Sequence, residues 1–374
     1  MTEARKNLRI IDLEQLRENI RVIRAAVPSS ARLLCVVKAD AYGHGMAQVA
    51  REAELAGADW LAVAITEEGA ALRRAGITLP ILVLGATTPD AALQGVEAGV
   101  TLTVCTPEMV RSVEAAALKL NRMGDVHIKI DSGMCRIGCR NQEEVRSVLA
   151  ALAECPHVRL TGAFTHFADA DREDEDMTFT RQQFDRFLEL TKPLPEGIIR
   201  HCANSAAIHR CMPEMALDMV RAGITLYGYP PVKTDMPVRP FMRWETEVTH
   251  VKQLQPGDTV SYGRTFTADR AITAATCAVG YGDGYHRAMT GKAWVLIKGV
   301  RCPILGRICM DQIVVDASRV PGGVQPCDRV TLMGRDGEEE LTAEDLAAWA
   351  GTISYEILLG ATDRVPRVWE NAHD

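Results

Sequence analysis

The run LLCVVKADAYGHG, residues 33–45, reads as a short buried strand that breaks into a polar, glycine-bearing loop. Lys38 then stands at the C-terminal mouth of that strand, the end at which a β/α barrel gathers its catalytic groups. An amine held at the edge of an apolar interior loses hydration, so its pKa falls and it becomes a usable nucleophile. Taken alone, Lys38 is better read as a solvated lysine closing a strand, and the rest of the chain has to overturn that reading.

Outward from this stretch, residues 30–230 alternate short apolar runs with longer amphipathic ones. Strands are expected at 33–37, 60–63, 81–85, 101–104, 126–131, 160–166, 198–204 and 219–223. Helical segments such as 46–56, 67–75, 107–120, 142–153 and 179–190 lie between them, several opening on Thr or Pro start signals. Eight strands, each followed by a helix, predict an α/β fold with a closed (β/α)8 TIM-type barrel. A doubly wound sheet shares this alternation, but no GxGxxG follows the first strand. The proline-rich PPVKTDMPVRP, residues 230–240, reads as a linker. Beyond it come β-rich runs at 244–254, 272–279, 293–297, 307–316 and 329–333, with one clear helix at 342–349 for which Thr342 is the N-cap. The expected organisation is a barrel over 1–235 and a mostly β domain over 236–374, with the opening LRIID able to pair with either.

Composition sets the class. Of 374 residues, 47% are hydrophobic, enough for large cores, and the net charge of -7 is well mixed, which argues against a nucleic-acid or membrane surface. The 11 cysteines are odd in number and scattered, which suits a reducing, cytoplasmic setting. Cys302 and Cys309 read as core filler, since neither has a CxxC partner. No signal peptide or membrane span is visible, and no metal site is expected.

Several expected strand ends are unusually polar. In HIKIDSGMCRIG, residues 127–138, a period of two places His127, Lys129 and Asp131 on one face, where a barrel would bury them together. A buried lysine needs a counter-charge or a chemical change, and Arg136 on the following loop could clamp a carboxylate. A structural ion-pair network is the competing account for Lys129. THFADAD ends in His166, a stacking or proton-relay candidate, and the acidic run 169–176 reads as a solvated lead into a helix. HCANSAA and VRAGITLYG bring Ser205, Gly223 and Ile224 to the last two strand ends, where barrels bind phosphate on backbone N–H groups, with Arg221 two residues before the glycine. In the second domain VSYGRTF and VGYGDGYHR set Tyr262 and Tyr281 in glycine-flanked loops, GRICMDQIVVD adds Met310, and GTISYEILL adds Tyr355.

Together these segments, in this order and across both domains, resemble the alanine racemase family, whose members are fold-type III enzymes dependent on pyridoxal 5'-phosphate. The resemblance implies a barrel followed by a β domain, and a homodimer whose active sites each draw on both subunits. Position by position, it makes Lys38 the lysine that forms the internal aldimine and Tyr262 the opposing acid/base from the partner subunit. Tyr42, Ser205, Gly223, Ile224 and Tyr355 match the phosphate-binding set. Arg221 matches the residue facing the pyridine nitrogen, and His166 the one beside the ring. Arg136 and the Met310 backbone match contacts to the substrate carboxylate, Tyr281 a residue narrowing the entrance, and Lys129 a position often carbamylated. The implied reaction is interconversion of L- and D-alanine by two-base exchange between Lys38 and Tyr262, supplying D-alanine for peptidoglycan. Asp40, Ser132 and Gly282 stand where the family more often has Asn, Thr and Ala, and Cys135 beside Arg136 is a further variation.

Three rivals are weighed against this. A decarboxylase of similar architecture would show a glycine-rich phosphate loop, and the GGV at Gly322 lies in the wrong domain. A non-enzymatic cofactor-handling protein would lack the domain carrying Tyr262 and Tyr281. Serine or broad-specificity racemisation is closer, because one methyl-sized change in a pocket alters discrimination by only about 1–3 kcal/mol.

Overall fold

The computed structural model describes residues 6–210 and 212–372. It divides into two compact units, one of residues 15–239 and one joining residues up to 14 with 240 onward.

β1, Leu8–Asp12, belongs to the second unit. The first unit is the expected α/β barrel. Its strands are β2 Arg32–Val36, β3 Trp60–Val63, β4 Ile81–Ala86, β5 Thr101–Val104, β6 Gly124–Lys129, β7 Val158–Phe164, β8 Ile199–His201 and β9 Met219–Ala222. All neighbours in the order β8-β7-β6-β5-β4-β3-β2-β9 pair in parallel. The remaining seam between β8 and β9 is bridged by backbone bonds from Asp218 to Arg200 (3.1 Å) and from Arg221 to Ala203 (3.0 Å), so the barrel is nearly closed. β8 is shorter than the 198–204 run because Asn204 leaves the strand to cap the next helix, accepting from the Ala207 N–H.

The helices between strands start where the sequence marks them. Thr88 and Thr106 each cap a helix whose first residue is proline, and Asn141 caps Gln142–Glu154. Such caps satisfy N–H groups that the helix itself cannot. The helix Leu13–Ala26 buries Leu16, Ile20 and Ile23 along one face, at the spacing an amphipathic helix requires. Its Asn19 is fully buried. The Asn19 amide donates to the Leu226 (3.1 Å) and Arg239 (2.8 Å) carbonyls and accepts from the Arg239 N–H (2.9 Å), tying the helix to the segment that leaves the barrel.

The second unit is mostly β, as expected. β1 pairs antiparallel with β10, Met242–Leu254, and parallel with the last strand of the chain, Arg367–Glu370. β10 also pairs with Ile272–Cys277 and Arg329–Asp336. Thr342 caps the helix Ala343–Ala350 in a reciprocal box with Asp345. Two expectations need correction. The run 307–316 is a strand only over Ile313–Asp316, because 307–312 bends away to form a loop. A second helix, Ser354–Gly360, follows the first and buries Ile357 and Leu358. Its seven residues are too few to show a helical period clearly.

Replacing Asn19 by alanine removes four hydrogen bonds at a fully buried side chain, the fourth being one that Gln15 Nε2 donates to Asn19 Oδ1 at 3.0 Å. We expect a loss of about 1–3 kcal/mol of stability, the cost of stranding buried backbone groups, measured as a lower denaturation midpoint with unchanged slope.

Candidate active site

In the barrel unit the predicted residues sit on the loops and last residues at the C-terminal ends of the strands. Lys38 follows β2 and opens a turn, Lys38–Tyr42, that runs left-handed. Ala39, Asp40, Ala41 and Tyr42 all have φ of 51–52°. For non-glycine residues that conformation costs roughly 1–2 kcal/mol each, so it persists only where the surroundings impose it. Glu68 accepts from the Ala39 N–H (2.6 Å), and Asp40 accepts from the Met46 N–H (2.8 Å). The His44 ring donates from Nδ1 to the Tyr42 (2.9 Å) and Ala41 (3.1 Å) carbonyls. Tyr42 and His44 both pack on the ring of Tyr227, whose hydroxyl donates to the Val36 carbonyl at 2.9 Å.

The turn delivers Tyr42 to the ends of β8 and β9. A side-chain carbon added to Gly223 would lie 3.3 Å from the Tyr42 hydroxyl and 3.4 Å from Ser205 Oγ. Ser205 Oγ accepts from the Gly223 N–H at 2.9 Å. Tyr42, Ser205 and Gly223 therefore form a cradle of hydroxyl and backbone groups, with glycine at its point of closest approach and Ile224 next to it in the chain.

β6 behaves as its alternation predicts. His127, Lys129 and Asp131 are all buried. Lys129 is only 3% exposed, donates to the Ile130 carbonyl at 2.9 Å, and stands 5.1 Å from the Phe164 ring centroid. Burial, followed by the charge of Arg221, pushes its pKa down to about 7 against the pull of Asp131. Asp131 has a further task, accepting from the Gly133 (3.0 Å) and Cys135 (2.9 Å) N–H groups and so shaping the loop that presents the exposed Arg136.

Arg221, 4% exposed, is the most constrained cation of the unit. It donates to His201 Nδ1 (3.0 Å) and to the Thr165 (2.8 Å) and Cys202 (2.9 Å) carbonyls, and lies 3.4 Å from His166 Nδ1. Burial lowers its pKa to about 10, which leaves it charged at neutral pH. Burial and then the charges of Arg221, Arg136, Lys129 and Lys38 push His166 down to about 2. Four basic side chains thus act against protonation of this one imidazole, with Arg221 in direct reach of it. Burial foremost, then Arg136, lowers the pKa of Lys38, with Glu68 opposing. An excess of cations at a barrel mouth suits a ligand carrying more than one negative charge.

In the other unit Tyr262 is 71% exposed, in a turn held by Ser261, whose hydroxyl donates to the Arg307 carbonyl at 2.5 Å. A cavity there is lined by Ser261, Tyr262, Cys309, Met310, Asp311 and Gln312. Tyr281 joins through its backbone, because Tyr281 N–H donates to the Cys309 carbonyl (3.1 Å) and Gly282 N–H to the Met310 carbonyl (2.8 Å). Gly280 permits that approach, since a side-chain carbon there would come within 2.3 Å of the Cys309 carbonyl. Cys309 is consequently not core filler, while Cys302 is fully buried as expected. Arg364, not anticipated from sequence, bridges Asp311 (2.7 Å) and Asp283 (3.3 Å) and braces these loops. Tyr355 lies half-buried in the Ser354–Gly360 helix.

His201, His44, Glu68 and Thr165 also escaped sequence reasoning. Only His201 carried a usable signal, an imidazole in the middle of an expected barrel strand. The acidic run 169–176 is exposed over most of its length, with Arg172 paired to Asp169 and Asp174, and no cluster suited to a metal occurs among the described residues. No helix among the described residues is long and apolar enough to cross a membrane, and every cysteine among them is a free thiol.

Comparisons with known proteins agree with this geometry. Residues 11–231 match the family model for the alanine racemase N-terminal domain, and residues 241–369 the one for the C-terminal domain. The chain is 44% identical to an alanine racemase of Desulfovibrio desulfuricans over 366 residues, 96% of each chain. Against that of Geobacillus stearothermophilus it is 40% identical, covering 96% of this chain and 92% of the relative. A solved alanine racemase of Clostridium difficile superposes with a TM-score of 0.91 at 41% identity, covering 97% and 95%. One from Bacillus anthracis with bound L-Ala-P gives 0.91 at 37%, covering 100% and 97%.

In ligand-free protein, competitive acetylation across a pH series should find the midpoint for Lys38 below the ordinary lysine value, because burial and Arg136 favour its neutral form. A midpoint at the ordinary value would contradict the electrostatic account.

Proposed function

Because the chain belongs to the alanine racemase family, we propose that it interconverts L- and D-alanine with pyridoxal 5'-phosphate as cofactor. The observation that carries this reading is a hydroxyl-lined cradle at the ends of β8 and β9, with Gly223 against Tyr42 and Ser205, together with the buried guanidinium of Arg221 3.4 Å from His166. Such a mouth fits a phosphate and a carboxylate together.

We assign Tyr42, Ser205, Gly223, Ile224 and Tyr355 to the phosphate, Lys38 to covalent attachment, Arg221 to the pyridine nitrogen and His166 to the ring. When bound, the cofactor supplies the electron sink that makes the α-proton removable. The remaining chemistry belongs to the chain. Inversion requires a proton to leave one face of the substrate and another to arrive on the opposite face, which two bases achieve without either crossing the plane. Lys38 Nζ and the Tyr262 hydroxyl are those bases. Arg136 and the Met310 backbone hold the substrate carboxylate, and Tyr281 narrows the approach. Tyr262 comes from a second copy of the chain, so the working form is a homodimer. Arg221 is a donor without acceptor capacity. Facing a pyridine nitrogen, it disfavours protonating that nitrogen, which limits electron withdrawal and suppresses transamination. The enzyme is placed in the cytoplasm, where its D-alanine is available for peptidoglycan.

Lys129 is assigned to carbamylation. A buried amine whose pKa lies near 7 is in good part neutral at physiological pH, and a carbamate there would give Arg136 and Arg221 the anion they lack. Incubation with 13C-labelled bicarbonate should produce a carbamate resonance that disappears in Lys129→Ala; a resonance surviving that substitution places the carbamate elsewhere.

Lys38→Ala should abolish racemisation, with a loss of at least about 10²–10⁴-fold, and should leave no borohydride-reducible yellow chromophore. A retained reducible chromophore overturns the assignment. In Tyr262→Phe, solvent deuterium exchange at the α-carbon should fall far more for one enantiomer than for the other, and equal losses argue against two bases.

A further inference from the structure

Behind Arg221 a line of buried groups runs away from the barrel mouth. Arg221 donates to His201 Nδ1 at 3.0 Å, and His201 Nε2 lies 3.1 Å from His127 Nδ1. Both imidazoles are fully buried. They pack against Phe164 and Trp60, with Phe164 stacked on His201 at 5.0 Å and Trp60 5.5 Å from His127.

The direction of every proton in this line follows from its end. A guanidinium can only donate. His201 must therefore present a lone pair at Nδ1 and carry its proton on Nε2. That proton faces His127 Nδ1, which must in turn be a lone pair, so His127 carries its proton on Nε2. His127 Nε2 has no hydrogen-bond partner and is buried. The space for it comes from Gly162, where an added side-chain carbon would lie 2.5 Å from His127 Nε2 and 2.6 Å from Cε1. A charged His127 could not accept from His201. The His201 ring would then turn a proton toward Arg221, donor against donor.

An accepting His127 does more than fill space. Hydrogen bonds in series polarise one another, so donation to His127 makes His201 Nδ1 a stronger acceptor for Arg221. With Nη2 taken by the Thr165 and Cys202 carbonyls and one Nη1 proton by His201, the guanidinium plane is held and its remaining N–H groups are left for a ligand.

We propose that His127, seated against Gly162, is a positioning residue that fixes His201 in its Nε2–H form and thereby sets the orientation and hydrogen-bonding strength of Arg221 toward the cofactor ring. The last step rests on the reading that Arg221 faces the pyridine nitrogen.

Histidine-selective 15N NMR of the holoenzyme should find both His127 and His201 neutral and protonated on Nε2 around neutral pH. An Nδ1–H form or an imidazolium at either residue overturns the proposal, and no variant is needed for that test. His127→Leu removes the acceptor, whereas His127→Asn keeps an acceptor atom at the δ position. His127→Leu should lower kcat by roughly 10- to 100-fold, the usual effect of losing an orienting partner behind a ligand-contacting group, and should shift the visible band of bound pyridoxal phosphate. His127→Asn should restore the band and most of kcat; equal loss in both variants would overturn the proposal. The predicted tautomers in a protein that takes up no pyridoxal phosphate would leave the relay standing and overturn the cofactor reading instead.

Discussion

The barrel mouth depends on one piece of unfavourable backbone. Four consecutive non-glycine residues, Ala39 to Tyr42, hold a left-handed conformation directly after β2. The turn places Lys38 at the strand end and swings Tyr42 to Gly223 and Ser205 at the ends of β9 and β8. A right-handed turn would carry the tyrosine elsewhere. Local preference opposes the left-handed form, so the conformation is imposed by Glu68, Asp40, His44 and Tyr227, each satisfying a backbone group or packing on the turn. Strain of this kind is expected where geometry serves a site rather than stability.

Charge shows the same preference for function over stability. Lys129, Arg136, Arg221 and Lys38 lower one another's affinity for protons or that of His166, and the anions near them, Glu68 and Asp131, are largely engaged with backbone N–H groups. A hydrophobic barrel interior would avoid the desolvation of Arg221 and the orphan N–H of His127. What the polar interior provides is a cation whose donors are aimed, through His201 and two carbonyls, before any ligand arrives. Donors fixed in advance need no reorganisation during reaction, which is where electrostatic stabilisation has its largest effect.

In the other unit the corresponding device is backbone closeness. Gly280 lets the Tyr281 turn lie against Cys309 and Met310, and Arg364 ties Asp283 to Asp311. The loop that results carries Met310 near Tyr262 along one cavity wall. The expectation of a continuous strand over 307–316 missed this, because the apolar residues Ile308 and Met310 suit a strand pattern while their backbone partners lie far off in the chain.

Sequence alone determined the barrel, the change of texture after Pro230, the caps at Thr106 and Thr342, and the burial of His127, Lys129 and Asp131 on one face. These follow from periods of 2 and 3.6 and from capping chemistry, which are local and written residue by residue. The placement of Lys38, Arg136, His166, Ser205 and Arg221 at or beside strand ends was legible in the same way, since strand ends in a barrel converge on one face whatever their separation in the chain. Only the tertiary structure decided the handedness of the Lys38–Tyr42 turn, the place of Cys309, the brace of Arg364 and the line from Arg221 through His201 to His127. Each of these depends on groups brought together across the fold, as His127 and His201 are from 74 residues apart. Such pairings have no local period, and no propensity of a single segment encodes them.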